Sequence, residues 1–251
     1  MAAFFCFLRK KCPFLLITLP IIFSFPSLAQ EKKHYIVRPG DIIIERIPEE
    51  GRYRFDDFRN ARVFFVNNSS ASGLMNYHLL YGEMQFVDSS GDTLSLANES
   101  LLRKVSFEST DYYYDSENKR YLELLAGGDQ LKLTRHLMMR LLEHDVKSMD
   151  GYVSTLDPNM SRVVYDLDNR VHETTLLKFF ESRAQHPMLF SPHEEYYFVD
   201  KNNIVWPVKK SSLRRIFPDH RRALGDFLSE EKTNFSRKAD LEKLVNFCNR
   251  L

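Results

Sequence analysis

From Tyr35 to about Leu142 the apolar positions come in short runs, each closed by turn-forming residues, and this rhythm predicts short β-strands joined by tight turns. Ile42 to Ile47 is one run, closed by Pro48-Glu49-Glu50-Gly51. Arg62 to Val66 is a second, closed by Asn67-Asn68-Ser69-Ser70. Leu74 to Leu80 follows, and Gly82 is expected to kink it into the alternating segment Glu83 to Val87. Asp88-Ser89-Ser90-Gly91 predicts a hairpin turn that returns through Thr93, Leu94 and Leu96. Leu102 to Phe107 should pair with Asp111 to Tyr114, and Asp115-Ser116-Glu117-Asn118 should turn the chain into Tyr121 to Leu125. Gly127-Gly128-Asp129 turns it again. Antiparallel neighbours of this kind make a meander that rolls into an open barrel or sandwich.

Residues 131–144 fit two patterns. Leu131, Leu133, Leu137, Met139 and Leu141 share odd positions, which suits a long strand broken by Arg135, Met138 and Leu142. A helix burying Leu133, Leu137, Leu141 and Met138 also fits; the strand is the favoured reading. Ser148 to Arg170 holds turn formers without a sustained period, so a loop is expected at about 146–170. A short helix is expected over Glu173 to Arg183, then a hairpin of Glu195 to Val199 with Ile204 to Trp206. After Pro207 the period changes. Ser211 to Phe217 and Asp219 to Glu230 carry helical apolar faces, and Ser236 is the expected N-cap of a last helix. That helix aligns Leu241, Leu244, Val245, Cys248 and Leu251 on one stripe. The expected fold is therefore a β-rich α+β one, with an antiparallel β domain over 30–207 and a small C-terminal helical module, 208–251, packed on it.

The first 29 residues read differently. Arg9-Lys10-Lys11 is followed by a short apolar core from Pro13 to Phe25, and Ser27-Leu28-Ala29 sets small residues at the −3 and −1 positions of a cut before Gln30. This is the pattern of a secretory signal peptide, and the core falls short of the roughly 20 residues that span a bilayer. The expectation is an exported chain with no transmembrane segment after cleavage, placed in the periplasm, at the outer membrane or outside the cell.

Composition narrows the function. Removing 1–29 takes three of the 35 basic residues and none of the 34 acidic ones, leaving a net charge of −2 and no global field for nucleic acid. Cys6 and Cys12 leave with the signal, so Cys248 alone remains and no internal disulfide can close. Secreted eukaryotic domains of this size more often carry bridges, which points to a bacterial envelope. On its helical stripe Cys248 reads as a buried small hydrophobe. Asn67, Asn68, Asn98, Asn159 and Asn234 each open an N-x-[ST] triplet, which matters only in a glycosylating host.

Several segments resemble an uncharacterised family of secreted proteins from Bacteroidota. The likeness lies in Ala61-Arg62-Val63-Phe64-Phe65, in Met75-Asn76-Tyr77-His78-Leu79-Leu80-Tyr81-Gly82-Glu83-Met84-Gln85-Phe86, in Gly91-Asp92-Thr93-Leu94, and in the tail at Phe217-Pro218 and Asp240-Leu241. These are patterns of strand and turn. The resemblance implies envelope location and a β-then-α order, and it transfers no activity.

No catalytic motif, cofactor site or metal site is complete. His172-Glu173-Thr174-Thr175-Leu176 opens like the zinc peptidase helix, but Leu176 stands where the second His must reach the metal. His193-Glu194-Glu195 fails likewise, with Tyr197 and Phe198 at the ligand positions. Asp166-Leu167-Asp168-Asn169 has the opening of a calcium loop, yet Val171 replaces its Gly and Leu177 its closing Glu. There is no G-x-S-x-G elbow and no Gly-rich phosphate loop. Asp56-Asp57 and Glu49-Glu50 fall in expected turns, where adjacent side chains diverge.

Two features point to binding. Lys209, Lys210, Arg214, Arg215, Arg221 and Arg222 gather six positive charges in 14 residues against Asp219 alone, a patch suited to an anionic lipid surface or an acidic envelope partner. Tyr112-Tyr113-Tyr114, Tyr121 and Tyr196-Tyr197 could stack on ligands, although alternate members of such runs usually fill cores. The favoured function is a non-enzymatic envelope protein acting by binding or interaction. A periplasmic carrier of an apolar ligand held between sheet and helices is the alternative, and an uncharacterised hydrolase the one after it.

Overall fold

The computed structural model describes residues 33–142 and 187–251. The expected leader at 1–29, the loop at 146–170, the helix at 173–183 and the motifs at 166–177 lie outside the described residues. The described strands are β1 (Tyr35–Val37), β2 (Arg59–Phe65), β3 (Ser70–His78), β4 (Glu83–Val87), β5 (Thr93–Ser95) and β6 (Leu102–Phe107). They continue as β7 (Asp111–Asp115), β8 (Arg120–Gly127), β9 (Leu131–Leu142), β10 (Met188–Asp200) and β11 (Val205–Pro207). All pairings are antiparallel, and the sheet runs β1-β10-β9-β8-β7-β6-β2-β3-β4-β5, with β11 also on β10. The two end strands do not meet, so the sheet stays open.

The strands do not form one uninterrupted meander. β6 lies beside β2, not beside β5. In a flat sheet that return would cover about 19 Å, close to the roughly 20 Å that residues 96–101 span when fully extended. Part of that link is a 3₁₀ turn at Glu99–Leu101, so the sheet must roll to bring β6 within reach. The roll is tied across its mouth. The Tyr77 hydroxyl on β3 donates to the Leu137 carbonyl on β9 at 3.0 Å, and the Met139 N–H donates to the Leu79 carbonyl at 2.9 Å.

Alternation decides which side chains enter the roll. Phe55, Val63, Met75, Tyr77, Met84, Val105, Phe107, Tyr112 and Tyr121 fill its concave side. Tyr77 lies 5.7 Å from Tyr112 and 5.8 Å from Tyr121, centroid to centroid. A fully buried side chain of this size contributes about 1.5–3 kcal/mol by leaving water. A second core forms where α3 (Lys210–Ile216), α4 (Arg221–Glu230) and α5 (Lys238–Cys248) lay Leu213, Leu224, Leu241, Leu244 and Val245 on Leu131, Leu133 and Phe198. A third joins Val37, Ile43 and Ile47 to Met139, Leu141, Met188 and Phe190.

Three expectations change, and the favoured strand over 131–142 stands. Ile42 to Ile47 is not a strand: α1 (Ile43–Arg46) and α2 (Glu49–Arg52) are single helical turns. In a strand Ile43, Glu45 and Ile47 would share one face and bury the carboxylate, whereas the turn buries both isoleucines and leaves Glu45 exposed. Gly82 reverses the chain instead of kinking it. With φ at 65°, its N–H donates to the His78 carbonyl, and β3 and β4 pair as a hairpin from His78 opposite Glu83. Residues 131–142 resolve as strand, because β9 is paired along both edges, to β8 and β10. Finally, Ser236 does not cap α5. Arg237 holds the N-cap position without a side-chain bond, and Asn234 organises the entry: its Oδ1 accepts the Ser236 N–H, while its own N–H donates to Asp240.

Candidate functional site

Three groups of polar side chains stand out, and they differ in whether their charges are answered. The first lies inside the roll. Direct cross-strand pairing sets Tyr112, Glu123, Arg135 and Tyr196 in one row across β7, β8, β9 and β10. Glu123, 4% exposed, accepts Arg135 Nη2 at 2.9 and 3.0 Å and the Nε and Nη2 of Arg54 at 3.2 and 3.1 Å. Arg135 Nη1 donates to Glu194 at 3.0 Å, and the Tyr196 hydroxyl donates to the same carboxylate at 2.7 Å. Burial alone would raise the Glu123 carboxyl, but the two guanidinium groups outweigh it and hold the group below the usual glutamate value. Burial and the Glu194 bond push the Tyr196 phenol up to about 12. Each charge here faces its opposite, so the network holds strands together.

The second group lies on the other face of the same strands. Arg120 donates from Nε to Asp115 at 3.0 Å and stacks its guanidinium 3.9 Å from the Tyr197 ring centroid. The Tyr197 hydroxyl donates to Glu195 at 2.6 Å, and His193 Nε2 lies 3.5 Å from the same carboxylate. Glu194 and Glu195 therefore point to opposite faces, which keeps His193-Glu194-Glu195 from acting as one ligand set. Among the described residues no cluster of three His, Cys, Asp or Glu side chains could hold a metal ion.

The third group is the basic tail. Leu213 and Phe217, then Leu224 and Leu228, recur four residues apart and anchor α3 and α4 in the second core. The intervening positions turn outward, and Lys209, Lys210, Arg214, Arg215, Arg221 and Arg222 are all exposed. None of the six is ion-paired with a described carboxylate; the carboxylates Asp240, Glu242 and Glu231 answer Arg237, Lys238 and Lys243 instead. The first turn of α4 holds Arg221 and Arg222 and no acidic residue. Cations at the positive end of a helix dipole cost about 0.3–1 kcal/mol each. An anion lying against the strip would remove that cost.

The tyrosines divide. Tyr112 and Tyr121 are core residues, while Tyr196 and Tyr197 are half-buried and bonded to Glu194 and Glu195. Cys248 is fully buried, and burial pushes its thiol up to about 12. Sequence reasoning missed the Arg54–Glu123–Arg135–Glu194 network. Its one legible sign was charge interrupting apolar alternation, at Glu123 between Tyr121 and Leu125 and at Arg135 between Leu133 and Leu137. No family model, curated protein or solved structure matches the chain.

Proposed function

We propose that the chain is an exported envelope protein that works by binding, docking through its basic tail to an anionic lipid surface. The observation that carries this is the strip of six exposed cations from Lys209 to Arg222, none paired with a described carboxylate, held outward by helices anchored on the sheet. Packing between sheet and helices supports a surface-binding protein over a carrier. The space a ligand would need there is filled by Leu131, Leu133 and Phe198 of the sheet against Leu213, Leu241 and Leu244 of the helices. Export rests on the leader pattern at 1–29.

Co-sedimentation with vesicles tests the reading. The purified protein should pellet with vesicles containing anionic phospholipid and not with zwitterionic ones. Each basic side chain near such a surface contributes about 1 kcal/mol, so Arg214→Glu with Arg215→Glu should cut the partition by at least about 30-fold. Raising salt from about 0.1 M to about 1 M, which shrinks the screening length from roughly 10 Å to roughly 3 Å, should weaken wild-type binding in the same direction. Partition that ignores both the substitutions and the salt overturns the proposal.

A further inference from the structure

A different part of the sheet carries a second surface. β3 is longer than the strand that covers it. β4 pairs with β3 only over Met75 to His78, and β2 occupies its opposite edge from Ser70 to Met75. Residues 70–74 are thus left with one open edge, to which no described strand pairs. Ser70, Ala71, Ser72 and Leu74 are exposed there, Leu74 by 43%.

The direction of the open groups follows from the register. The Phe65 N–H donates to the Ser69 carbonyl, so Ser69, Ala71 and Gly73 turn their backbone groups toward β2. Ser70, Ser72 and Leu74 turn theirs outward. Their N–H and C=O groups form a short strand template in solvent.

Proteins normally blunt such an edge with charge, proline, a bulge or brevity. The other ends of this sheet follow the rule: β5 and β1 are three residues long, and β11 is equally short and ends in Pro207. The β3 edge has none of these devices. From Val63 to Gly82 there is no Lys, Arg, Asp or Glu, in a chain of which 27% is charged, and no proline.

We infer that this edge pairs with a second copy of itself, antiparallel about a two-fold axis at Ser72. The geometry is self-consistent. With Ser72 opposite Ser72 of the other copy, Ser70 falls opposite Leu74, and every outward-facing residue meets an outward-facing one. The paired segment itself carries no charged side chain, Arg62 of β2 is held to the Ser70 hydroxyl of its own copy, and the small side chains Ser70, Ala71, Ser72 and Gly73 let the backbones approach. The dimer joins the two rolled sheets into one continuous sheet, and it leaves the tail helices outside the contact.

Sedimentation velocity of the purified protein from about 1 to about 100 µM should show a monomer–dimer equilibrium. Ser72→Pro deletes an outward N–H without touching the ladder to β2, and it should leave a monomer with an unchanged unfolding midpoint. Ser72→Cys reads the register directly, because the two-fold axis brings its Cα atoms to about 5.5 Å. A short bis-maleimide should link Ser72→Cys into a covalent dimer and should not link Ser70→Cys, whose partner positions lie about 14 Å apart. The unsubstituted protein, with its buried Cys248, is the blank. A monomer at every concentration overturns the inference. So does a dimer in which Ser72→Cys links no better than Ser70→Cys, which remains decisive even where Ser72→Pro fails to fold. Arg214→Glu with Arg215→Glu should leave the dimer intact, so failure here and failure of tail docking are separate results.

Discussion

Arg135 of β9 stands directly opposite Glu123 of β8, and its Nη2 reaches both carboxylate oxygens, at 2.9 and 3.0 Å, on the buried side of the sheet. Arg54, from the segment ahead of β2, closes on the same carboxylate. One glutamate thereby ties together three parts of the chain. Replacing it with Glu123→Gln leaves Arg54 without its counter-charge and Arg135 with Glu194 alone, and the expected cost is about 3–5 kcal/mol in urea unfolding. Because the folded carboxyl sits below its unfolded value, its contribution is complete above the unfolded value and fades as pH falls through the folded one. Replacing all three charges together with apolar residues of similar volume should recover most of the loss. A triple variant as unstable as Glu123→Gln would show that the pairing, and not the buried charge, sets the cost.

His78 gives a pH dependence of its own. It is 1% exposed, its Nδ1 accepts the Tyr81 N–H at 3.0 Å, and its ring stacks on Tyr81 at 4.2 Å. Burial, with a smaller push from Arg52, lowers its pKa to about 3. The unfolded chain binds this proton near pH 6.5 and the folded one does not, so stability should be full above about 6.5 and decline toward pH 3. The loss over that window is on the order of 3–5 kcal/mol. His78→Gln should be less stable at pH 7 and should show a flatter decline between pH 7 and 4. Parallel urea-midpoint curves for the two proteins would contradict this assignment.

What could be read from sequence was local. Period two and turn residues predict β6, β7 and β8 with their turns, because those strands are bounded by Asp115-Ser116-Glu117-Asn118 and Gly127-Gly128-Asp129. The basic tail is equally legible, since six cations close in sequence on amphipathic helices have to face outward. Long-range pairing is not. Nothing between Leu96 and Leu101 announces that β6 returns to β2, because the return depends on how tightly the sheet rolls. Ile42 to Ile47 misleads for a related reason: an isoleucine-rich run suits a strand until Glu45 must be placed, and only the neighbouring core shows that Ile43 and Ile47 alone are wanted inside. The open edge of β3 emerges only once β4 is seen to stop short of it.

Asn249 is the clasp between the last helix and the sheet. Its Oδ1 accepts the Gln130 and Leu131 N–H groups at 3.0 and 3.1 Å, and its Nδ2 donates to the Leu131 carbonyl at 2.7 Å and the Val245 carbonyl at 2.8 Å. The side chain thus stands in for a strand partner at the β8–β9 turn while closing the C-terminal end of α5. Asn249→Ala should cost about 1–3 kcal/mol, because part of the freed backbone is sheltered from water. The turn itself should be more sensitive on one side than the other. A Cβ at Gly128 would lie 2.9 Å from the Asn249 Oδ1, which can swing away, so Gly128→Ala should resemble Asn249→Ala. A Cβ at Gly127 would meet the Lys132 Cα at 2.6 Å and the Leu131 carbonyl at 2.8 Å, on a residue with φ at 148°. Backbone cannot yield as a side chain does, so Gly127→Ala should be the most damaging of the three. Thermal midpoints in the order Gly127→Ala lowest, the other two close together and wild type highest are expected; a Gly128→Ala midpoint below that of Gly127→Ala would reverse the argument.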